Sequence, residues 1–301
     1  MAVREELLRV ASTAVLAALE AGDFFSSRLA ADKKIKIKSS PSDLVTEIDP
    51  ECERMIRAQI AAQFRSHEVL GEETTAPGSE ASAKATAAVH QKEHLWIVDP
   101  LDGTTNFVYE TPLSVVSIAY AEKGRVQVGV VYDPYRKEVF LGIRGMGSWL
   151  SHSLEAAEWA KEASDSIPGR KLSVSMREKL EESVVATGFP TRAEARSLTT
   201  EAGLRLSERV KNLRAYGSAA MHLAYVAAGR LDGFWEYDLN AWDIAAGSLL
   251  VEAAGGYTVD INGAPYTLSV RDIVACGREA LASEIRDLVH LSAVNSEYNE
   301  D

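Results

Sequence analysis

The chain is 301 residues long, 46% hydrophobic and 25% charged, which suffices for a buried core and excludes disordered, collagen-like and coiled-coil classes. Its 44 acidic residues outnumber its 32 basic ones, for a net charge of −12. That balance argues against nucleic acid and anionic membrane surfaces as partners, but leaves a small anionic substrate open, because bound metal ions invert the local field.

In chain order, Leu7, Leu8, Ala11, Ala14, Val15, Ala18 and Leu19 recur at helical spacing and predict a helix across the first 30 residues. The apolar run 14–19 is too short for a bilayer span, and Arg4, Glu5, Glu6 and Arg9 are unlike a signal or transit peptide, so no such address is expected. Residues 33–38 alternate lysines with Ile35 and Ile37 as a strand does, until Pro41 and Ser42 break the run. Asp49-Pro50 reads as the N-cap and first residue of a second helix, with Met55, Ile56, Ile60 and Phe64 on its buried face. The two cysteines, Cys52 and Cys276, are too far apart for a disulfide framework, so reduced thiols and a cytoplasmic location are expected.

Residues 74–94 contain one large aliphatic, Val89, and predict a mobile loop with at most a helical turn. Strand-like runs follow at 95–98, 113–120, 126–131 and 137–143, with turns at Lys123-Gly124 and Asp133-Pro134, in the manner of an antiparallel meander. A second polar, loop-like insertion spans 151–171, and short strands are expected at 172–175 and 184–187. Helix and strand then alternate: helices at 191–210, 219–228, 244–254 and from about 279 to 291, strands at 233–237, 257–259 and 273–276. Gly255-Gly256 closes the third of these helices. The acidic tail 291–301 reads as frayed, and there is no internal repeat. The fold class is α+β or α/β, and one domain, 1–290, is expected in two packed halves, 1–185 and 186–290.

Four stretches carry chemistry. In Trp96-Ile-Val-Asp99-Pro-Leu-Asp102-Gly-Thr-Thr-Asn-Phe107 a buried strand runs into two carboxylates that can converge on one point. The Leu101 carbonyl between them is left free, and hard cations such as Mg²⁺ take such all-oxygen sets. Gly103-Thr104-Thr105 can open a helix whose free N–H groups face an anion such as phosphate. A strand followed by an Asp-Gly turn explains the same residues without a ligand. In Leu70-Gly71-Glu72-Glu73-Thr74, Glu72 is expected inward and Glu73 outward, though solvated loop acids are as compatible with it. In the third, Asp43-Leu-Val-Thr-Glu-Ile-Asp49, and the fourth, Ala241-Trp-Asp243-Ile-Ala-Ala-Gly247, helix capping explains Asp49 and Asp243 locally. None of the six histidines shows metal-ligand spacing, and His222, in the apolar run 219–228, reads as a packing residue.

Together, in this order, the four stretches resemble the inositol monophosphatase family of the fructose-1,6-bisphosphatase-like, Mg²⁺-dependent and Li⁺-sensitive phosphatases. The resemblance spans roughly residues 7–290 and includes Trp242 to Gly247 with the trailing Glu252-Ala-Ala-Gly-Gly256. It implies a layered αβαβα sandwich. It also implies two or three Mg²⁺ ions: Glu72, Asp99 and the Leu101 carbonyl on the first, Asp99, Asp102 and Asp243 on the second, and Glu72 on a weaker third. Thr104 and Asp49 resemble the pair that orients the attacking water, with Lys38 nearby. Gly103 and Thr104 resemble the phosphate cradle, and Gly217, Ser218, Ala219 and Glu236, with Asp243, the contacts to the sugar-alcohol ring. Thr105-Asn106 resembles the inositol branch; relatives acting on 3′-phosphoadenosine phosphate or histidinol phosphate tend to carry Lys or Arg at the first of these positions. The long 74–94 and 151–171 segments depart from the family pattern. A homodimer is implied by the same resemblance.

The expected activity is hydrolysis of inositol monophosphate by metal-activated water, without a covalent phospho-enzyme. The alternatives are the same chemistry on fructose 1,6-bisphosphate or a nucleotide phosphate, and a non-catalytic metal- or partner-binding protein on this fold. The intact carboxylates beside Thr104 count against the last.

Overall fold

The structure is a computed structural model that describes residues 2–41 and 43–297; Ser42 and the end of the expected acidic tail, 298–301, lie outside the described residues. The chain begins with α1 (Ala2–Ser26), then β1 (Lys36–Ile37) and β2 (Leu44–Val45), α2 (Ile48–Gln63), β3 (Glu68–Gly71) and α3 (Ser79–Val89). β4 (Leu95–Asp102) leads into the short α4 (Thr104–Val108), followed by β5 (Val115–Glu122), β6 (Arg125–Asp133), β7 (Glu138–Ile143) and β8 (Gly147–His152). After α5 (Ser153–Glu162) and β9 (Arg170–Lys171) come β10 (Val184–Ala186), α6 (Ala193–Ser207), β11 (Asn212–Arg214), α7 (Ala219–Ala227), β12 (Gly233–Glu236) and α8 (Ala241–Ala253). β13 (Tyr257–Asp260), β14 (Ile273–Cys276) and α9 (Glu279–Glu297) complete it.

The meander is the body of a seven-stranded sheet ordered β3-β4-β5-β6-β7-β8-β9, with β3 parallel to β4 and the remaining pairs antiparallel. A five-stranded sheet, β11-β10-β12-β14-β13, holds the C-terminal strands. α1, α2 and α5 cover one face of the larger sheet, α7 and α8 lie between the two sheets, and α6 and α9 cover the far face of the smaller one. The architecture is therefore the layered αβαβα sandwich. α8 packs so tightly on β6 that a Cβ at Gly129 would lie 2.6 Å from the Ala246 carbonyl oxygen. Among the described residues, no helix is long and apolar enough to cross a membrane.

Several expectations need correction. Residues 74–94 are not mainly loop: α3 occupies eleven of them. Its alanines have the highest helix propensity, and Ala85 and Val89 reach the core. The 151–171 insertion likewise contains β8's end and α5, which buries Ala156, Trp159 and Ala160 on one face. No strand forms at 172–175, where the backbone bonds to Ser148 and Ala254 instead. β1 is two residues long rather than six, and β3, unanticipated, pairs with β4.

Candidate active site

β4 brings Asp99 to the sheet end, and the register slips between Asp99 and Asp102. Pro100 cannot donate a ladder hydrogen bond, which favours such an irregularity. Asp99 is buried, and its Oδ1 accepts the Leu101 N–H at 3.0 Å. Asp102 Oδ2 accepts both the Ser218 hydroxyl and the Ala220 N–H, each at 2.7 Å. Gly103 turns the chain at φ 99 and starts α4; a Cβ there would stand 2.8 Å from the Leu113 carbonyl, so glycine is required on both counts. Thr104 Oγ1 lies 3.0 Å from Asp49 Oδ1 and 3.2 Å from the Leu101 carbonyl, so its proton is shared between two acceptors. The Leu101 carbonyl is thus not wholly free, although one lone pair remains.

Asp49 is not an N-cap. α2 begins at Ile48, and the Asp49 carboxylate folds back so that Oδ2 accepts the Thr46 N–H at 3.0 Å and the Thr46 hydroxyl at 2.6 Å. Its other oxygen faces Thr104. Asp243 is likewise inside its helix: α8 is capped by Asn240, whose N–H donates to Asp243 Oδ2 at 2.6 Å. Glu72 faces inward as expected, lining the cavity and acting on Asp99, but Glu73 does not face outward. Both bond to Lys38 Nζ, at 2.8 and 2.6 Å, and the Glu73 side chain is the more buried, 6% exposed against 22%. The reason is Glu53 on α2, whose Oε2 accepts the Glu73 N–H at 2.7 Å and anchors the turn.

The site carries an excess of buried negative charge. Burial, then the charges of Glu72, Asp102 and Asp243, raises the Asp99 carboxyl well above the usual range. Burial, then Asp102 and Glu72, does the same to Asp243. Asp102 is pushed up to about 6, chiefly by burial, despite its hydrogen bonds from Ser218 and Ala220. Burial, then the Glu72 charge, pushes Glu73 to about 8. Burial opposes the charge on Lys38, but attraction from Glu72 and Glu73 outweighs it and raises its pKa. Among the described residues, no three of these side chains close into a ready-made ligand set; they surround one region and repel one another across it. One lysine cannot balance them, and hard oxygen donors under mutual repulsion suit a divalent cation.

Beside these groups is a cavity of about 210 Å³, lined in part by Lys38, Glu72, Glu236, Trp242 and Asp243. Burial, then Asp243 and Asp102, raises the Glu236 carboxyl well above the usual range. Ser218 turns to Asp102, and the Gly217 carbonyl accepts from Asn106 Nδ2 at 3.4 Å, so the 217–219 segment braces the carboxylate end of β4. His222 is buried as expected, with Nε2 accepting the Tyr216 N–H at 2.9 Å, but among the described residues its Nδ1 has no hydrogen-bond partner. The roles of Glu53 and Ser218 escaped sequence reasoning. The available signal for Glu53 was the charged column Asp49, Glu53, Arg57 at i, i+4 and i+8 of α2.

The family model for the inositol monophosphatase family matches residues 6–292. An inositol-1-monophosphatase from Rhizobium meliloti is 37% identical over 250 residues, 83% of this chain and 84% of its own. Nus factor SuhB from Pseudomonas aeruginosa is 39% identical over 236 residues, 77% and 78% of the two chains. Among solved structures, extragenic suppressor protein suhB from Bartonella henselae superposes with a TM-score of 0.77 at 31% identity, covering 93% of this chain and 98% of that one.

Proposed function

The chain belongs to the inositol monophosphatase family, and from that premise we propose that it is a Mg²⁺-dependent phosphomonoesterase that hydrolyses inositol monophosphate to inositol and phosphate. The observation that carries the reading is the placement of four mutually repelling carboxylates, Glu72, Asp99, Asp102 and Asp243, around the Thr104–Asp49 pair. Glu72, Asp99 and the Leu101 carbonyl would hold one Mg²⁺, and Asp99, Asp102 and Asp243 a second; Glu72 would also serve a third. Bound there, Mg²⁺ lowers the pKa of a coordinated water, neutralises phosphate oxygens and stabilises the leaving alkoxide.

The chain's own residues do the rest. Asp49, fixed by Thr46, accepts a hydrogen bond from the Thr104 hydroxyl and leaves the Thr104 oxygen to accept one from the attacking water. The Gly103 N–H at the N-cap of α4 and the Thr104 N–H at its first residue would face the phosphate. Lys38 offsets part of the carboxylate charge. Glu236, in the cavity wall, accepts hydrogen bonds from ring hydroxyls. Attack by water needs no side-chain nucleophile. By the same family likeness we assign a homodimer, and from the free cysteines Cys52 and Cys276 a cytoplasmic location.

Phosphate release from inositol 1-phosphate, fructose 1,6-bisphosphate and a nucleotide monophosphate, after exhaustive chelation and after Mg²⁺ restoration, tests the reading. Turnover should vanish and return, with kcat/KM highest for inositol 1-phosphate; turnover that survives chelation, or another substrate ranking first, overturns the corresponding part. Glu236→Gln should cost about 2- to 10-fold in kcat/KM on inositol 1-phosphate, the worth of about 0.5–1.5 kcal/mol of hydrogen bonding, and little on an ester lacking ring hydroxyls. The Nus factor name of the Pseudomonas relative supports a second reading, partner binding on this fold. That reading expects a folded Asp102→Asn chain to keep its biological role while losing turnover.

A further inference from the structure

In the wall of the cavity that Lys38 also lines, one arginine joins the segment that follows Glu72 to the helix that carries Asp243. Arg271 precedes β14, where the ladder with β12 continues through the Leu239 N–H to the Arg271 carbonyl at 2.8 Å. Its Nη2 donates to Asp238 Oδ1 at 2.9 Å, and its Nη1 donates to Ser82 Oγ at 2.9 Å and Asn240 Oδ1 at 3.1 Å. Ser82 in turn donates to Asn240 Oδ1 at 2.6 Å, and Ser79 to Asp238 Oδ2 at 2.9 Å. Both serines are on α3. Asp238 is nearly buried, and its backbone sits at φ 57, a left-handed conformation that a non-glycine residue keeps only when its surroundings fix it. Burial alone would raise the Asp238 carboxyl, but the hydrogen bonds from Arg271, Ser79 and Arg192 outweigh it and hold it below the usual range.

Asn240 is the link to the site. Its N–H holds Asp243 Oδ2 at 2.6 Å, and the charges of Asp102 and Glu72 act on the same carboxylate. We propose that Arg271 is a positioning residue for Asp243: by clasping Asn240, Asp238 and Ser82 it fixes the first turn of α8 against α3 and sets where the Asp243 carboxylate stands. The inference rests on Asp243 being a metal ligand. A planar guanidinium spans the three partners, whereas the single ammonium of a lysine reaches Asp238 or Asn240 but not both in this fork.

The sign of the effect separates positioning from charge. Arg271 stands close enough to Asp243 to lower its pKa by attraction. A cation there repels another cation, so loss of the charge by itself would tighten binding of a divalent ion. Loss of the clasp would weaken it.

The probe is Mn²⁺, titrated into full-length protein and read by electron paramagnetic resonance, beside the Mg²⁺ concentration for half activity. Arg271→Met should weaken Mn²⁺ binding about 10-fold, with kcat at saturating Mg²⁺ within twofold; Arg271→Lys should recover part of the loss. Ser82→Ala removes one partner without touching the arginine and should weaken binding by a smaller factor, which keeps the test open if Arg271→Met fails to fold. Unchanged or tighter Mn²⁺ binding in folded Arg271→Met, or in Ser82→Ala where the first does not fold, overturns the proposal. Asp243→Asn is the control. If it abolishes one Mn²⁺ site while the clasp variants bind normally, only the clasp fails; if it leaves Mn²⁺ binding untouched, the ligand reading of Asp243 fails and the clasp with it.

Discussion

Thr104 and Asp49 lie 55 positions apart, yet one hydrogen bond joins them, and Asp49 is in turn fixed by Thr46. A residue that only orients water acts in the transition state more than in binding. Thr104→Ala should therefore lower kcat by about 10²–10⁴-fold with KM changed only slightly. A higher KM at unchanged kcat, measured on inositol 1-phosphate, would make Thr104 a phosphate binder instead. His222 gives a prediction about stability. Burial pushes its imidazole down to about 3, while an exposed histidine titrates near pH 6.5. Between these values the unfolded chain binds a proton that the folded chain does not, so this contribution is intact above about pH 6.5 and falls with pH toward 3. Relative to His222→Gln, wild type should lose about 2 kcal/mol between pH 7 and pH 5, as read by urea unfolding at the two values. Local sequence placed the carboxylates in recognisable stretches but misjudged what they bond to. Asp49 looks like a cap to its neighbours in sequence, and only the fold brings Thr104 beside it. Glu73 looks exposed by alternation, and only the approach of Glu53 and Lys38 turns it inward.

The elements divide by what their residues bury. Long apolar runs such as β4 to β7 and α7 lie close to where hydrophobic pattern puts them, because each strand is covered on both faces. α3 and α5 were hidden by the same criterion. Their small or polar residues offer little to a hydrophobicity count, although alanine favours helix regardless of burial. Ala83→Gly with Ala87→Gly, both exposed on α3, should cost that helix about 2 kcal/mol, since each glycine costs about 1 kcal/mol. Hydrogen exchange across residues 79–89 should then quicken by roughly 30-fold while the β5 and β6 amides keep their protection. Equal exchange in both proteins would restore the loop description.

At the level of the whole molecule, the layer order rather than any one contact locates the site. β4 ends, and α4, α7 and α8 begin, near one another, so that helix starts and a strand end meet in one place. Neither the crossing of layers nor the partner of a helix end is written in a local run of residues, which is why the carboxylates were legible and their supports were not. The contact of α8 with β6 gives the most direct test. Gly129→Ala would set a methyl 2.6 Å from the Ala246 carbonyl, and overpacking of this kind costs about 1–3 kcal/mol. The variant should melt lower and, on the proposal that Asp243 of α8 holds a metal, require more Mg²⁺ for half activity. A normal melting temperature would mean that the layers yield more easily than their spacing implies.

α8 is buried from Ala241 to Val251 except at Asp243 itself, with a sheet on either side. Such a helix has no outward face on which chance substitutions can accumulate harmlessly. Divergence among descendants of this sequence is thereby channelled to α3 and α5, each with one side in solvent, and α3 borders the cavity. In a saturation library selected only for turnover, α8 should tolerate few replacements. The exposed side of α3 should drift almost freely, so that new substrate preferences arise at the rim while the reaction beneath it stays the same.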